Sequence, residues 1–159
     1  MTACSFTVGV MANILITGMS GTGKSTLLAE LAGRGYETVD TDLDGWAINN
    51  ALWDEERMSN LLDRPGDRII SGTVENQGKF YDRFSHVILL SAPLDTMLER
   101  IAKRTDNPYG KSEEQQAEIR HYTETVEPLL RKGTDLELSG LLPVKELADT
   151  VEELLNSEN

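Results

Sequence analysis

The chain has 159 residues, 39% hydrophobic and 26% charged, which is the size and make-up of one compact domain with a single sizeable core. Its net charge of −12 argues against non-specific binding to nucleic acid or to an anionic membrane surface, whose phosphates would repel it. The lone cysteine, Cys4, excludes an intrachain disulfide and suits a cytoplasmic location, and no apolar run approaches the roughly 18 residues of a membrane helix.

Residues 1–11 carry no basic region of a signal peptide and read as a loose tail or an alternative start at Met11. Asn13–Thr17 is a short, partly β-branched run, the pattern of a buried strand. It runs into Gly18-Met19-Ser20-Gly21-Thr22-Gly23-Lys24-Ser25, which fits G-x-x-x-x-G-K-S/T at every fixed position. Glycines let such a loop curl so that successive N–H groups face one concavity, and the helix that follows adds unpaired N–H donors and a positive dipole end. Gly18, Ser20, Gly21, Thr22, Gly23, Lys24, Ser25 and Thr26 are therefore expected to bind the phosphates of ATP. Lys24 is the point charge on the outer phosphates, and Ser25 is a ligand of Mg²⁺. A glycine-rich turn between strand and helix would explain the glycines but not the Lys-Ser pair after Gly23.

Ser25–Arg34 reads as a helix stopped by Gly35, and Tyr36–Asp40 as a second strand entering the acidic turn Asp40–Gly45. A helix is expected near residues 51–62, then a turn at Arg64–Asp67 and a third strand at Arg68–Gly72. Thr73–Phe84 is polar and glycine-containing, a loop with a short helix. His86–Ser91 is a fourth strand, Pro93 opens a helix to about Arg104, and Thr105–Lys111 interrupts the pattern. Ser112-x-x-Gln115 resembles a capping box that opens a long helix to about Arg131; a fifth strand at Asp135–Leu138 and a closing helix at Pro143–Leu155 complete the chain. Strands alternating with helices imply an α/β fold, a five-stranded parallel sheet with helices on both faces and ligands beyond the carboxyl ends of the strands. The phosphate loop, the Asp40–Asp44 turn and the loop after Gly72 all fall at those ends.

In the phosphate loop, in Asp40-Thr41-Asp42 and in Arg100-x-x-x-Arg104 followed by a lid-like segment, the chain resembles the small phosphate-loop kinases of the adenylate, shikimate and gluconate kinase type. The resemblance implies the three-layer phosphate-loop nucleoside triphosphate hydrolase fold in one domain over 1–159. It also implies a lid at about 105–111, an acceptor region at about 42–83, and ATP and Mg²⁺ as cofactors. Val87–Leu90 is followed by Ser91 and Arg68–Ile70 by Ser71, so the apolar strand ending in aspartate of motor ATPases and GTPases is missing, as is N-K-x-D. The carboxylate near Mg²⁺ is then expected from Asp40, which could equally serve as a turn former. Asp42 either handles the acceptor hydroxyl, as the matching residue of shikimate kinase does, or caps a following helix. Arg100 and Arg104, at i and i+4 on one helix face, are expected on the transferring phosphoryl group, the alternative being a solvated basic helix end. Arg131 stands where relatives place a nucleotide-contacting arginine. Arg57, Gly72 and Thr73 are the acceptor-side candidates, with Arg57 gripping an anionic acceptor or pairing with Glu55 or Glu56. Trp46 and Trp53 are expected in the core. The adenylate kinase motif D-G-x-P-R is absent after the third strand. These features together predict ATP- and Mg²⁺-dependent phosphorylation of a hydroxyl on a small molecule; a nucleoside monophosphate kinase and a slow nucleotide-binding regulatory ATPase are the alternatives.

Overall fold

The computed structural model describes residues 12–48, 52–105 and 108–157. The expected tail at 1–11 and residues 106–107 of the lid expected at about 105–111 lie outside them. Seven strands are described: β1 (Asn13–Thr17), β2 (Glu37–Asp40), β3 (Ala47–Ile48), β4 (Leu52–Trp53), β5 (Arg68–Ser71), β6 (His86–Ser91) and β7 (Leu136–Ser139). The helices are α1 (Lys24–Gly33), α2 (Glu55–Asp63), α3 (Leu94–Lys103), α4 (Glu113–Thr125), α5 (Glu127–Gly133) and α6 (Val144–Ser157), with a 3₁₀ helix at Gln77–Arg83.

Five strands form one parallel sheet in the order β2-β5-β1-β6-β7, as expected, with β1 central and paired to β5 and β6. The period of two sorts its side chains. Ile14, Ile16, Ile69, Ile88 and Leu90 face α1 and α6, packing on Leu27, Leu31, Leu147 and Val151. Leu15, Ile70 and Val87 face the other way, onto Met58, Leu61 and Leu62 of α2 and onto Trp53, Phe80 and Phe84. A sheet buried on both faces needs such uninterrupted apolar strands, and β1 is buried at all five positions. No described helix is long and apolar enough to cross a membrane.

Two expectations about elements are corrected. Leu52 and Trp53, expected at the start of a helix, instead form β4, which pairs antiparallel with β3 in a small hairpin. The helix begins only at Glu55 because Asp54 is its N-cap, accepting a hydrogen bond from Arg57 N at 3.1 Å. The expected long helix from Ser112 is broken in two at Val126, which ends α4 and caps α5. Pro128, in the first turn of α5, has no N–H to give to Glu124 O and its ring collides there. Of the expected capping box only the first half forms: Gln115 N donates to Ser112 Oγ at 3.1 Å, while Gln115 Oε1 accepts from Gly110 N at 2.8 Å rather than from Ser112 N.

Candidate active site

The phosphate loop leaves β1 at the carboxyl edge of the sheet and enters α1 at Lys24. Gly21 and Gly23 take φ of 86° and 105°, a region that side-chain-bearing residues rarely occupy, and a Cβ on Gly21 would lie 2.7 Å from Met97 O. Thr22, fully buried, donates from Oγ1 to Met19 O at 2.9 Å and locks the turn. Arg100 of α3 reaches over the loop: it donates to the carbonyls of Gly21 (3.3 Å) and Thr22 (3.1 Å), and to Gly140 O (2.6 Å). In a trans peptide the N–H opposes the C=O, so these bonds turn the N–H groups of Thr22 and Gly23 away from the guanidinium. In this structure Arg100 is a strut of the loop as well as a wall of its cleft.

The cleft measures about 560 Å³ and is lined by Ser20 to Thr26, Asp42, Arg100, Arg104 and, from the turn after β7 and the start of α6, Gly140, Leu142, Val144 and Leu147. Residues from four separate stretches of chain thus meet where the topology places ligands. The Lys24 ammonium donates to Gly18 O at 2.6 Å and Met19 O at 3.0 Å. Desolvation lowers its pKa to about 8, against the pull of Asp42 and Asp40. The Asp42 carboxyl, although open to the cleft, is pushed above its ordinary value by desolvation first and by Asp40 as well, with Lys24 opposing.

Ser25 Oγ donates to Asp40 Oδ2 at 3.3 Å, so the two expected metal ligands are neighbours. A hard divalent cation such as Mg²⁺ keeps several waters and takes one or two protein oxygens plus phosphate oxygens. The Ser25–Asp40 pair beside the phosphate loop fits that demand. Among the described residues no group of three or more His, Cys, Asp or Glu could hold a metal by itself, so most ligands would have to come from phosphate and water. Asp40 also makes the turn that was the alternative reading: its Oδ1 accepts from Asp42 N at 3.0 Å. The next element after Asp42 is the strand β3, so Asp42 caps no helix.

Thr41, between the two aspartates, points the other way and is buried. Its Oγ1 donates to Ser71 O at 2.7 Å and accepts from the indole N–H of Trp53 at 2.9 Å. Gly72 packs against this pair; a Cβ there would overlap Thr41 Oγ1. Asn76 then fastens β4 by exchanging two hydrogen bonds with the Trp53 backbone, N–H to Oδ1 at 2.9 Å and Nδ2 to O at 3.1 Å. Thr73 does not line the cleft. It accepts from Gly18 N at 3.2 Å and donates to Gly18 O at 2.8 Å, while Gln77 Nε2 donates to Thr17 Oγ1 at 3.1 Å. Residues 72–77 therefore brace both the phosphate loop and the aspartate turn from behind.

Arg57 donates to Asp44 O at 2.6 Å and lies 3.9 Å over the Trp46 ring; it forms no ion pair with Glu55 or Glu56 and lines a second cleft of about 410 Å³ beside Asp40. Trp53 is a core residue as expected, and Trp46 packs at the core margin under Arg57. Arg104 lines the first cleft and donates to Tyr109 O at 2.8 Å. Arg131 is not brought to either cleft: it is held by Glu137 at 2.8 Å and Glu127 at 3.2 Å. Sequence reasoning missed the wall formed by Gly140, Leu142, Val144 and Leu147. The signal was a glycine directly after the fifth strand, at the same sheet edge as the other loops. It also missed Asn76 and Gln77 as braces, because hydrogen bonds over 23 and 60 residues leave no trace in local pattern.

Comparison with known proteins agrees with this architecture. The shikimate kinase from Acinetobacter baumannii in complex with shikimate superposes with a TM-score of 0.70 at 20% identity, over 98% of this chain and 99% of that one. The shikimate kinase from Bacteroides thetaiotaomicron gives 0.66 at 17%, over 91% and 98%. A sugar kinase from a Janibacter species gives 0.56 at 19%, over 92% and 95%. No curated protein matches the sequence. Likeness at these identities shows the fold, that of the small phosphate-loop kinases. A family model described as an AAA domain matches residues 14–121, which hold most of β1, the phosphate loop, the aspartate turn, Arg100 and Arg104. That span exceeds half of the sequence, and the chain belongs to the AAA domain family.

Proposed function

We propose that this protein is a cytosolic kinase that transfers the γ-phosphoryl group of ATP to a hydroxyl of a small molecule. The observation that carries the reading is the meeting, in one cleft, of Lys24 on its phosphate loop with Asp42, beside the Ser25–Asp40 pair. The fold is shared with proteins named as shikimate and sugar kinases, which supports the reaction class.

In this reading one domain does all the work, with residues 42–83 holding the acceptor and about 105–111 covering the nucleotide. The loop amides and the first turn of α1 hold the phosphates. Lys24 exchanges the carbonyls of Gly18 and Met19 for phosphate oxygens. Ser25 and Asp40 would hold Mg²⁺, which supplies charge neutralisation on the phosphates when bound. The acceptor oxygen bonds to the γ-phosphorus, the bond to the β–γ bridging oxygen breaks, and the hydroxyl proton passes to Asp42. A carboxylate whose pKa is raised is the better proton acceptor. Arg104 and Arg100 add positive charge to the cleft wall. Leu142, Val144 and Leu147 offer the apolar surface a nucleotide base needs.

The test is ATP consumption against a metabolite panel, with phosphorylated products identified by mass, for the protein and for Lys24→Ala. We expect a product with the native chain and a loss of turnover of at least about 10²-fold in the variant. Turnover unchanged by Lys24→Ala would refute the assignment.

A further inference from the structure

Lys24 does not hold its two carbonyls alone. Gly18 O accepts from Lys24 Nζ at 2.6 Å and from Thr73 Oγ1 at 2.8 Å. Met19 O accepts from Lys24 Nζ at 3.0 Å and from Thr22 Oγ1 at 2.9 Å. Gly18 and Met19 are both buried. A buried carbonyl that loses its last donor costs the full desolvation of the group, so an ammonium that was its sole partner would be held back from a ligand. Here each carbonyl has a threonine hydroxyl as a second donor, which stays when the ammonium moves away.

The two hydroxyls differ in origin. Thr22 belongs to the phosphate loop itself and lines its cleft. Thr73 comes from the loop after β5, 55 residues beyond Gly18, and lines neither cleft. The direction of its O–H is fixed from further back. Val74 N donates to Gln77 Oε1 at 2.8 Å, and because a backbone N–H only donates, this sets which way round the Gln77 amide lies. Gln77 Nε2 then donates to Thr17 Oγ1 at 3.1 Å and to the Tyr81 hydroxyl at 2.8 Å. Thr17 Oγ1 lies 3.0 Å from Thr73 Oγ1, which also accepts from Gly18 N at 3.2 Å. One set of donors and acceptors satisfies every contact: Thr17 donates to Thr73, and Thr73 to Gly18 O. Thr17 and Gln77 are almost wholly buried, which keeps water from their bonds.

We infer that Thr73 is a positioning residue for the phosphate-binding lysine: it keeps Gly18 O hydrogen-bonded while the Lys24 ammonium passes from that carbonyl to the outer phosphates of ATP. This rests on the reading of Lys24 as the cation that meets those phosphates, and deepens it. Without the hydroxyl, Gly18 O depends on the ammonium alone, and ATP must leave that carbonyl bare to win it.

The test is calorimetric binding of ATP with Mg²⁺ to the full chain, with Tm recorded for each variant. Thr73→Val removes the hydroxyl and keeps the branched shape. It should weaken ATP binding by at least about fivefold, whereas Thr73→Ser, which keeps the hydroxyl, should stay within about twofold of the native chain. In a Lys24→Met background, which has no ammonium to release, Thr73→Val should change ATP affinity by less than about twofold. A residue that only shapes the loop would weaken ATP equally with and without Lys24. That result, native affinity in Thr73→Val, or lost affinity in Thr73→Ser overturns the inference and leaves the phosphate-site reading standing. Lys24→Met binding ATP as tightly as the native chain, or no ATP binding by the native chain, overturns both. Should Thr73→Val not fold, Thr73→Ala, which removes the hydroxyl and adds no atom, takes its place in the same cycle. Unfolding of both, with Thr73→Ser folded, would make the hydroxyl a requirement of the fold and also overturns the role assigned here.

Discussion

Lys24 is where one residue's environment sets a measurable behaviour. Burial holds its ammonium at a pKa of about 8, below the ordinary 10.5. The folded chain therefore disfavours the charged form, and the ligand-free protein gains stability as pH rises from about 8 toward 10.5. Phosphates reverse this, because they favour the ammonium. ATP binding at pH 8 to 9 should take up a fraction of a proton, and affinity should fall as pH rises through that range. Titration calorimetry in buffers of different ionisation enthalpy measures the uptake; Lys24→Met should abolish it, and an uptake identical in that variant would assign the proton elsewhere. The two aspartates divide at the same scale. Asp40→Asn should raise the Mg²⁺ needed for turnover and be partly rescued by added metal, because its carboxylate faces Ser25. Asp42→Asn should leave ATP binding near normal and slow transfer by about 10²–10⁴-fold if it takes the proton, with little metal rescue. Identical metal dependence and turnover in the two variants would end this division.

At the scale of elements, the β3–β4 hairpin does more than cover the core. Its Trp53 indole pins Thr41, the residue between Asp40 and Asp42, and Asn76 holds the hairpin in place from the loop after β5. The carboxylates are thus aimed by a side chain on their opposite face. Trp53→Phe keeps the ring and its contact with Phe80 but removes the donor. It should cost about 1–2 kcal/mol of stability and lower kcat more than it changes the affinity for ATP. A loss of stability with kcat untouched would make Trp53 a core residue alone. Gly110 is the matching feature between α3 and α4: its φ is 91°, and a Cβ would press on Ile101 and Ile119. The connection there is therefore fixed on its α4 side by packing, with Gly110 N donating to Gln115 Oε1 at 2.8 Å.

For the whole molecule, the candidate active site is a junction: the phosphate loop, the aspartate turn, α3 and the turn into α6 all contribute walls. A ligand that bridges them should stabilise the fold as a unit. ATP at a hundredfold excess over its dissociation constant should add about 2.7 kcal/mol, seen as a rise in Tm. Amide exchange should slow together in the phosphate loop, at Gly140–Leu142 and at residues 108–111. Slowing confined to the phosphate loop would argue against a covering role for the segment near 105–111.

The sequence by itself determined the phosphate loop, the parallel α/β architecture and the placement of Asp40 and Asp42 beside Lys24. Each is written locally, in glycine spacing, apolar runs of strand length and residues directly after a strand. Local pattern misled where a short-range signal competed with a longer one: Leu52 and Trp53 join a helical periodicity until Asp54 caps the helix, and Pro128 splits a run that otherwise continues to Arg131. Only the tertiary structure decided that Arg100 braces the loop carbonyls, that Arg131 turns to Glu137, and that Thr73 and Gln77 support the loop from behind. Those facts depend on which groups meet across tens of residues, and a side chain's charge says nothing of its partner until the chain has folded around it.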